Sequence, residues 1–317
     1  MKVLVTGASG FVGRALVAEL LLSGHQVRAC SRVGARAPGS DAENFTISSI
    51  DGSTDWYDAL QSIDAVVHLA ARVHVMSDDS SDPLSEFRRV NTAGTLNLAR
   101  QAALVGVKRL VFISSIKVNG DWTSTDRPFQ PSDPVHPNEP YGQSKHEAEK
   151  GLRLLAKETE LEVVIVRPPL VYGLGVKANF SALARLVRRG LPVPLGAVVT
   201  NRRSLVGIEN LIDFLRVCLD HPEAANQTFM VSDGEDLSTA ALILRMAKAM
   251  DRRARLFAVP CSVLRVAANL LGKRQVADRL LGNLQVSIEL NNLLLGWAPK
   301  ISVDDGLRNA LNATAVD

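Results

Sequence analysis

The chain opens with an apolar run, Lys2-Val3-Leu4-Val5-Thr6. It breaks at Gly7-Ala8-Ser9-Gly10-Phe11-Val12-Gly13 and passes directly into a helical pattern, FVGRALVAELLLSG. Glycines at i, i+3 and i+6 between a β-branched strand and a helix leave few folds open. Gly7 permits a tight turn, Gly10 lets an outside group approach the backbone, and Gly13 lets helix and strand pack closely. The unit then recurs. QVRAC, FTISSI, DAVVHLA, KRLVFISS and VVIVRP are short β-rich runs, and helical patterns cover 83–104 and 141–160. Apolar runs separated by helices are strands buried on both faces, so the fold class is α/β, a Rossmann-type doubly wound parallel sheet.

Composition narrows the class of partner. Among 317 residues, 36 Lys plus Arg face 33 Asp plus Glu, a balance that gives no general attraction to nucleic acid. Cys30, Cys218 and Cys261 are widely spaced and form no metal or disulfide pattern. They suit a reducing cytoplasm. The N-terminus enters a strand without the layout of a signal peptide. Residues 263–295 are leucine-rich but interrupted by Gly272, Lys273, Arg274, Asp278 and Arg279, so no membrane insertion is expected.

The first strand-helix junction is where a dinucleotide's pyrophosphate meets free helix N–H groups and the positive end of the helix dipole. Gly7, Gly10, Phe11, Val12 and Gly13 are the candidate cradle. An NAD-selective site usually ends strand two in an acid that holds the ribose 2′-hydroxyl. Strand two here ends Ala29-Cys30-Ser31-Arg32. Arg32, helped by Arg36, suits a 2′-phosphate, so the expectation is NADP(H), with NAD(H) as the alternative.

Two hydroxyls, Ser114 and Ser115, close the fifth strand, where a buried strand needs none. Downstream, Tyr141 and Lys145 stand one helical turn apart on one face. A phenol with pKa near 10 is a poor acid-base group at neutral pH, and a neighbouring ammonium stabilises its phenolate.

Together TGASGFVG, HLAA (68–71), NTAGT (91–95), SSIKVNG, YGQSK, RPPLVYG (167–173) and RRSLVGIENL (202–211) resemble the extended short-chain dehydrogenases/reductases of the nucleotide-sugar epimerase/dehydratase family. GWAPKISVDDGL near the end resembles family tails. The resemblance implies a dinucleotide domain over 1–168, to which 200–220 returns. It also implies a smaller, mostly helical substrate-binding region over 169–199 and 221–317. Ser115 would hydrogen-bond the reacting sugar oxygen, Tyr141 would be the acid-base residue, and Lys145 would lower its pKa and bind the nicotinamide ribose. Leu69, Ala70 and Ala71 would line the cofactor's path, Asn91 would steady the sheet, and Pro168 would pass the nicotinamide. Asp51 stands two residues from the family's adenine contact, where this chain has Ser49. Lys177, Asn179 and Arg203 would meet the diphosphate of a UDP-sugar. Ser114 is expected to be structural. The helices over 84–104 and 141–160 match those that pair in family homodimers.

Dehydratases of this family follow the catalytic hydroxyl with an Asp-Glu pair. Ile116 and Lys117 stand there instead, so elimination chemistry is not expected. Asn119 and Leu170 depart from the family near the expected sugar site. Arg32 favours an exchangeable NADP(H), and Lys117, Asn119 and the SSIKVNG/RRSLVGIENL combination resemble reductases of bacterial O-antigen gene clusters. The expectation is therefore NAD(P)H-dependent reduction of the C4 ketone of a UDP-4-keto-6-deoxy-2-acetamido sugar. The alternatives are a UDP-glucose or UDP-N-acetylglucosamine 4-epimerase and a catalytically silent cofactor sensor.

Overall fold

The computed structural model describes residues 1–33, 41–73, 82–176 and 179–312. Its elements run β1 (Lys2–Thr6), α1 (Phe11–Leu22), β2 (Gln26–Arg32), β3 (Glu43–Ile47), α2 (Tyr57–Leu60), β4 (Ala65–His68), α3 (Pro83–Phe87), α4 (Thr95–Leu104), β5 (Arg109–Ile113) and α5 (Pro140–Glu158). They continue β6 (Glu162–Arg167), β7 (Leu170–Tyr172), α6 (Asn179–Arg188), β8 (Leu205–Gly207), α7 (Ile208–Asp220), β9 (Thr228–Met230), α8 (Thr239–Ala249), α9 (Cys261–Leu270), α10 (Arg274–Leu281), α11 (Glu289–Leu295) and α12 (Val303–Asn312).

Among the described residues, seven strands form one sheet in the order β3-β2-β1-β4-β5-β6-β9. Every pairing in it is parallel. The strands bury both faces with a period of two. Val3, Val5, Val27, Ala29, Val67, Val111, Val164 and Val166 point to the side covered by α1 and α7. Leu4, Cys30, Val66, Leu110, Phe112, Val163 and Ile165 point to the side covered by α2, α4 and α5. Side-chain alternation across a pleated strand requires this division, and each fully buried Val or Leu contributes about 1.5–3 kcal/mol. This is the doubly wound sheet expected from the sequence. The edge strand β9 shows that the sheet draws on chain beyond residue 220.

The helical pattern over 83–104 is continuous, but a π-helical stretch, Arg88–Gly94, joins α3 to α4. Such π turns shift the register of the residues they carry and are frequent at functional sites. This one carries Asn91, which is fully buried. The remaining chain builds a second layer. Beta strands β7 and β8 pair in parallel, and Tyr172, Phe180, Leu205, Met246 and Leu307 form a separate core there.

Candidate active site

At the end of β1 the backbone turns through Gly7 at φ +69°. A Cβ on Gly7 would lie 2.8 Å from the Ala70 nitrogen, so only glycine lets this turn pass the end of β4. Gly10 N–H donates to the Gly7 carbonyl at 2.9 Å. Gly10 then caps α1, with no side chain capping the helix and no acid in its first turn. The free N–H groups and positive helix end therefore face outward unscreened. They open on a cavity of about 670 Å³, lined by Gly7, Gly10, Phe11, Val12, Gly13, Arg32, Leu69, Ala70 and Ala71, among others. Nine of the sequence-derived cofactor residues thus meet in one cleft. A side chain at Gly10 or Gly13 would intrude on the Gly7 carbonyl. This glycine cradle, with its unpaired donors, fits a dinucleotide pyrophosphate.

Arg32 ends β2 at the cavity wall beside the buried Ser31, and Arg72 and Arg89 also line the cavity. Asp51 is not among the lining residues. Its carboxylate accepts from Ser53 N–H at 3.0 Å and Ser53 Oγ at 2.7 Å. Those bonds hold its pKa down at about 2. Ser49, its neighbour in sequence, does reach the cavity.

The sheet brings Ser115 and Tyr141 together. Ser115 caps the short 3₁₀ turn Ile116–Val118, its Oγ accepting from Lys117 N–H at 3.2 Å. The same hydroxyl hydrogen-bonds Tyr141. Burial pushes Tyr141 up to about 12, and the Ser115 bond works against that rise. One turn along α5, Lys145 is fully buried. Its Nζ donates to the Ile113 carbonyl at 2.8 Å and lies 4.4 Å from the centre of the Phe112 ring. Burial lowers it from 10.5 to about 7, which Glu149 opposes. The Lys145 side chain thus faces a backbone carbonyl and a ring face, one turn of α5 from Tyr141.

The flanking polar groups set this geometry. Ser114 Oγ donates to Glu149 at 2.6 Å, as a structural hydroxyl should. Glu149 is buried and paired with Arg167 at 2.5 Å, and Arg167 donates onward to Asn119 at 2.9 Å. Asn119 is thus buried in the interior and held by Arg167. Asn91 accepts from Arg72 N–H at 2.8 Å and donates to Ser144 Oγ at 3.0 Å, tying the chain after β4 to α5. Pro168 accepts from Ile116 N–H at 3.1 Å, fixing the turn that carries Ser115. Ile116 packs with Met230, Leu284 and Val286. Lys117 pairs with Asp121, and with Glu139 at 3.5 Å.

A family model described as the NAD dependent epimerase/dehydratase family matches residues 3–232. The chain belongs to this family. A UDP-glucose 4-epimerase of Vibrio cholerae is 47% identical over 312 residues, covering 98% of this chain and 95% of its own. A UDP-glucose 4-epimerase of Mycolicibacterium smegmatis is 28% identical, covering 97% and 96%. The solved structure "MoeE5 in complex with UDP-glucose and NAD" is 26% identical with a TM-score of 0.77, covering 99% and 98%.

The expectation of a 4-ketosugar reductase is overturned by the Vibrio cholerae relative, which spans nearly the whole chain and is a 4-epimerase. The physical reason is plain in this family member. Reduction and epimerisation share one catalytic centre, so the discriminating residues had to lie outside it. Asn119 and Lys117 turn out to be held by Arg167, Asp121 and Glu139, as parts of the framework.

Arg203 donates to the Gly282 carbonyl at 3.2 Å, and burial beside Arg279 lowers it to about 10. Lys177 and Arg36 lie outside the described residues, and of Asn179 only the backbone, which opens α6, is described. Two neighbours escaped the sequence reading. Arg279 on α10 binds Glu139, the residue capping α5, at 3.1 Å. Glu139 Oε2 is buried with no partner of its own. Their separation of 140 residues hides the pair in a linear reading.

Proposed function

We propose that the protein is an NAD-dependent UDP-sugar 4-epimerase that interconverts UDP-glucose and its C4 epimer. The observation that carries this reading is the 47% identity to a UDP-glucose 4-epimerase across almost the full length of both chains. The paired hydroxyls of Ser115 and Tyr141 beside the buried Lys145 support it. The same assembled trio argues against a catalytically silent sensor.

The cradle from Gly7 to Gly13 would hold the dinucleotide's pyrophosphate, with Leu69, Ala70 and Ala71 along its path. When bound, the nicotinamide supplies a hydride acceptor that can return the hydride to either face of a C4 ketone. The chain's own part is the proton. Tyr141 takes the proton of the 4-hydroxyl as C4 is oxidised and gives it back on reduction, while Ser115 holds the same oxygen in place. Burial favours the protonated phenol, and the positive charge of an oxidised nicotinamide held beside it would favour its ionisation. Lys145, its charge disfavoured by burial, anchors the end of β5 through the Ile113 carbonyl. Arg203 and Arg279 supply charge-assisted bonds to the diphosphate. Ile116 and Lys117 leave no acid for elimination, so no dehydration accompanies the cycle.

Arg32, with no acid beside it, supports use of NADP(H) alongside NAD(H). The exposed Leu104 on α4 and Leu154 on α5 support a homodimer through those helices. Free, buried Cys30 and Cys218 support a reducing, cytoplasmic setting. The division into a dinucleotide domain over 1–168 and 200–220 and a substrate region over 169–199 and 221–317 belongs to the same reading, except that β9 joins the sheet of the former.

The test is product analysis of purified protein with UDP-glucose and substoichiometric NAD. The account expects the C4 epimer to accumulate to equilibrium without net change in nicotinamide absorbance. A product formed one-for-one with cofactor consumption contradicts it.

A further inference from the structure

Alpha helix α9 buries none of its residues fully. At 100° per residue, Cys261, Leu264 and Ala268 fall on one face and pack inward, next to the cluster of Val187, Val193 and Ile243. Val263, Val266, Ala267 and Leu270 fall on a different arc of about 100°. Val263 is 53% exposed, Val266 59%, Leu270 84% and the following Leu271 72%. Arg265 and Asn269 occupy the remaining third of the helix. A helix apolar on both its inner and outer faces needs a cover on the outside.

Charge identifies the cover. Between Arg252 and Ala277 the chain carries Arg252, Arg253, Arg255, Arg265, Lys273 and Arg274 and not one Asp or Glu, although the whole protein is nearly balanced. All six cations are exposed. The acid that ends the run, Asp278, pairs with Arg274 at 3.8 Å. A second copy docked by two-fold symmetry would set this cationic surface against itself, and like charges brought together oppose association. A nucleic acid would match the cations but leave the Val and Leu side chains uncovered. We propose that α9 and its basic flanks dock on an anionic lipid bilayer surface, with Val263, Val266, Leu270 and Leu271 entering the headgroup boundary. Apolar side chains on one face of a helix, ringed by Lys and Arg, are the pattern of an interfacial helix. Docking of this kind is distinct from spanning, and no described helix is long and apolar enough to cross a membrane. The patch lies outside the cradle and the Ser115–Tyr141 pair, so docking leaves the chemistry intact and places the enzyme beside the membrane.

The experiment is flotation of the full-length protein with vesicles of phosphatidylcholine alone, or doped with about one-third phosphatidylglycerol. The protein should float only with the anionic vesicles and release as salt rises. Val266→Asp and Leu270→Asp should each lower partitioning at least about 10-fold. Arg265→Ala with Lys273→Ala should lower it about 25-fold, about fivefold per cation. All variants should turn over UDP-glucose like wild type, a readout that also confirms their folding. The charge pair keeps the test open if an Asp variant misfolds. Absence of flotation with either vesicle, or equal flotation of wild type and all variants, overturns the proposal. So does a dimer that Leu270→Asp splits while anionic vesicles stay bare.

Discussion

Gly142, on the first turn of α5, sits against the backbone carbonyl of Lys117. A Cβ built there would lie 2.7 Å from that oxygen and 3.2 Å from its carbon. This close approach brings α5 down onto the turn that carries Ser115, so that the phenol next to Gly142 can meet the Ser115 hydroxyl. Gly142→Ala must push α5 off that turn. A misplacement near 1 Å can cost on the order of 100-fold in rate, so kcat should fall roughly 10- to 100-fold with KM for UDP-glucose little changed. Steady-state kinetics with circular dichroism as a folding control decide it, and wild-type kcat would mean the contact has no catalytic consequence.

Tyr141→Phe removes the proton carrier and keeps the ring that packs edge-on against Phe87 at 6.1 Å. Turnover should drop by about 10²–10⁴, the range for general acid-base catalysis. Calorimetric binding of the UDP-sugar should stay near wild type. A turnover within a few-fold of wild type rules Tyr141 out.

The sequence made part of this site legible and hid the rest, for a physical reason. The glycine cradle, the two serines at the tip of β5 and the Tyr141–Lys145 pair are local patterns, fixed by turn geometry or by one turn of helix, and each lies where the spacing put it. Arg167 with Asn119, Arg279 with Glu139, and Gly142 with Lys117 are juxtapositions made by the sheet and the second layer. No local pattern encodes them. That is also why Asn119 and Lys117 invited a functional reading when their partners are structural.

Lys145 titrates near 10.5 when unfolded and at about 7 in the fold. The cost of burying its charge is therefore complete below pH 7 and fades as pH rises towards 10.5, where the unfolded chain binds more protons than the native one. Wild-type protein stripped of dinucleotide should gain stability between pH 7 and 10 relative to Lys145→Met, by a few kcal/mol. Urea midpoints of both proteins across that range test it, and parallel pH profiles would refute the shift.

Arg32 stands at the cavity wall at the end of β2, and the proposed reading sets the ribose 2′ position of a bound dinucleotide beside it. Arg32→Ala should weaken NADP(H) at least about 10-fold, the loss of one charge-assisted bond, while NAD(H) changes only slightly. Fluorescence titration of both reduced cofactors measures this. Equal losses for the two would leave Arg32 without a role in selecting between them.

The central claim is that one bound cofactor removes and returns the same hydride at C4 while Tyr141 carries the proton. UDP-glucose deuterated at C4 measures this directly. The account predicts that the C4 epimer retains the deuterium, forms with catalytic NAD and fails to form with Tyr141→Phe. Deuterium lost to solvent or to free NADH, or a product that consumes cofactor in equal amount, would contradict it.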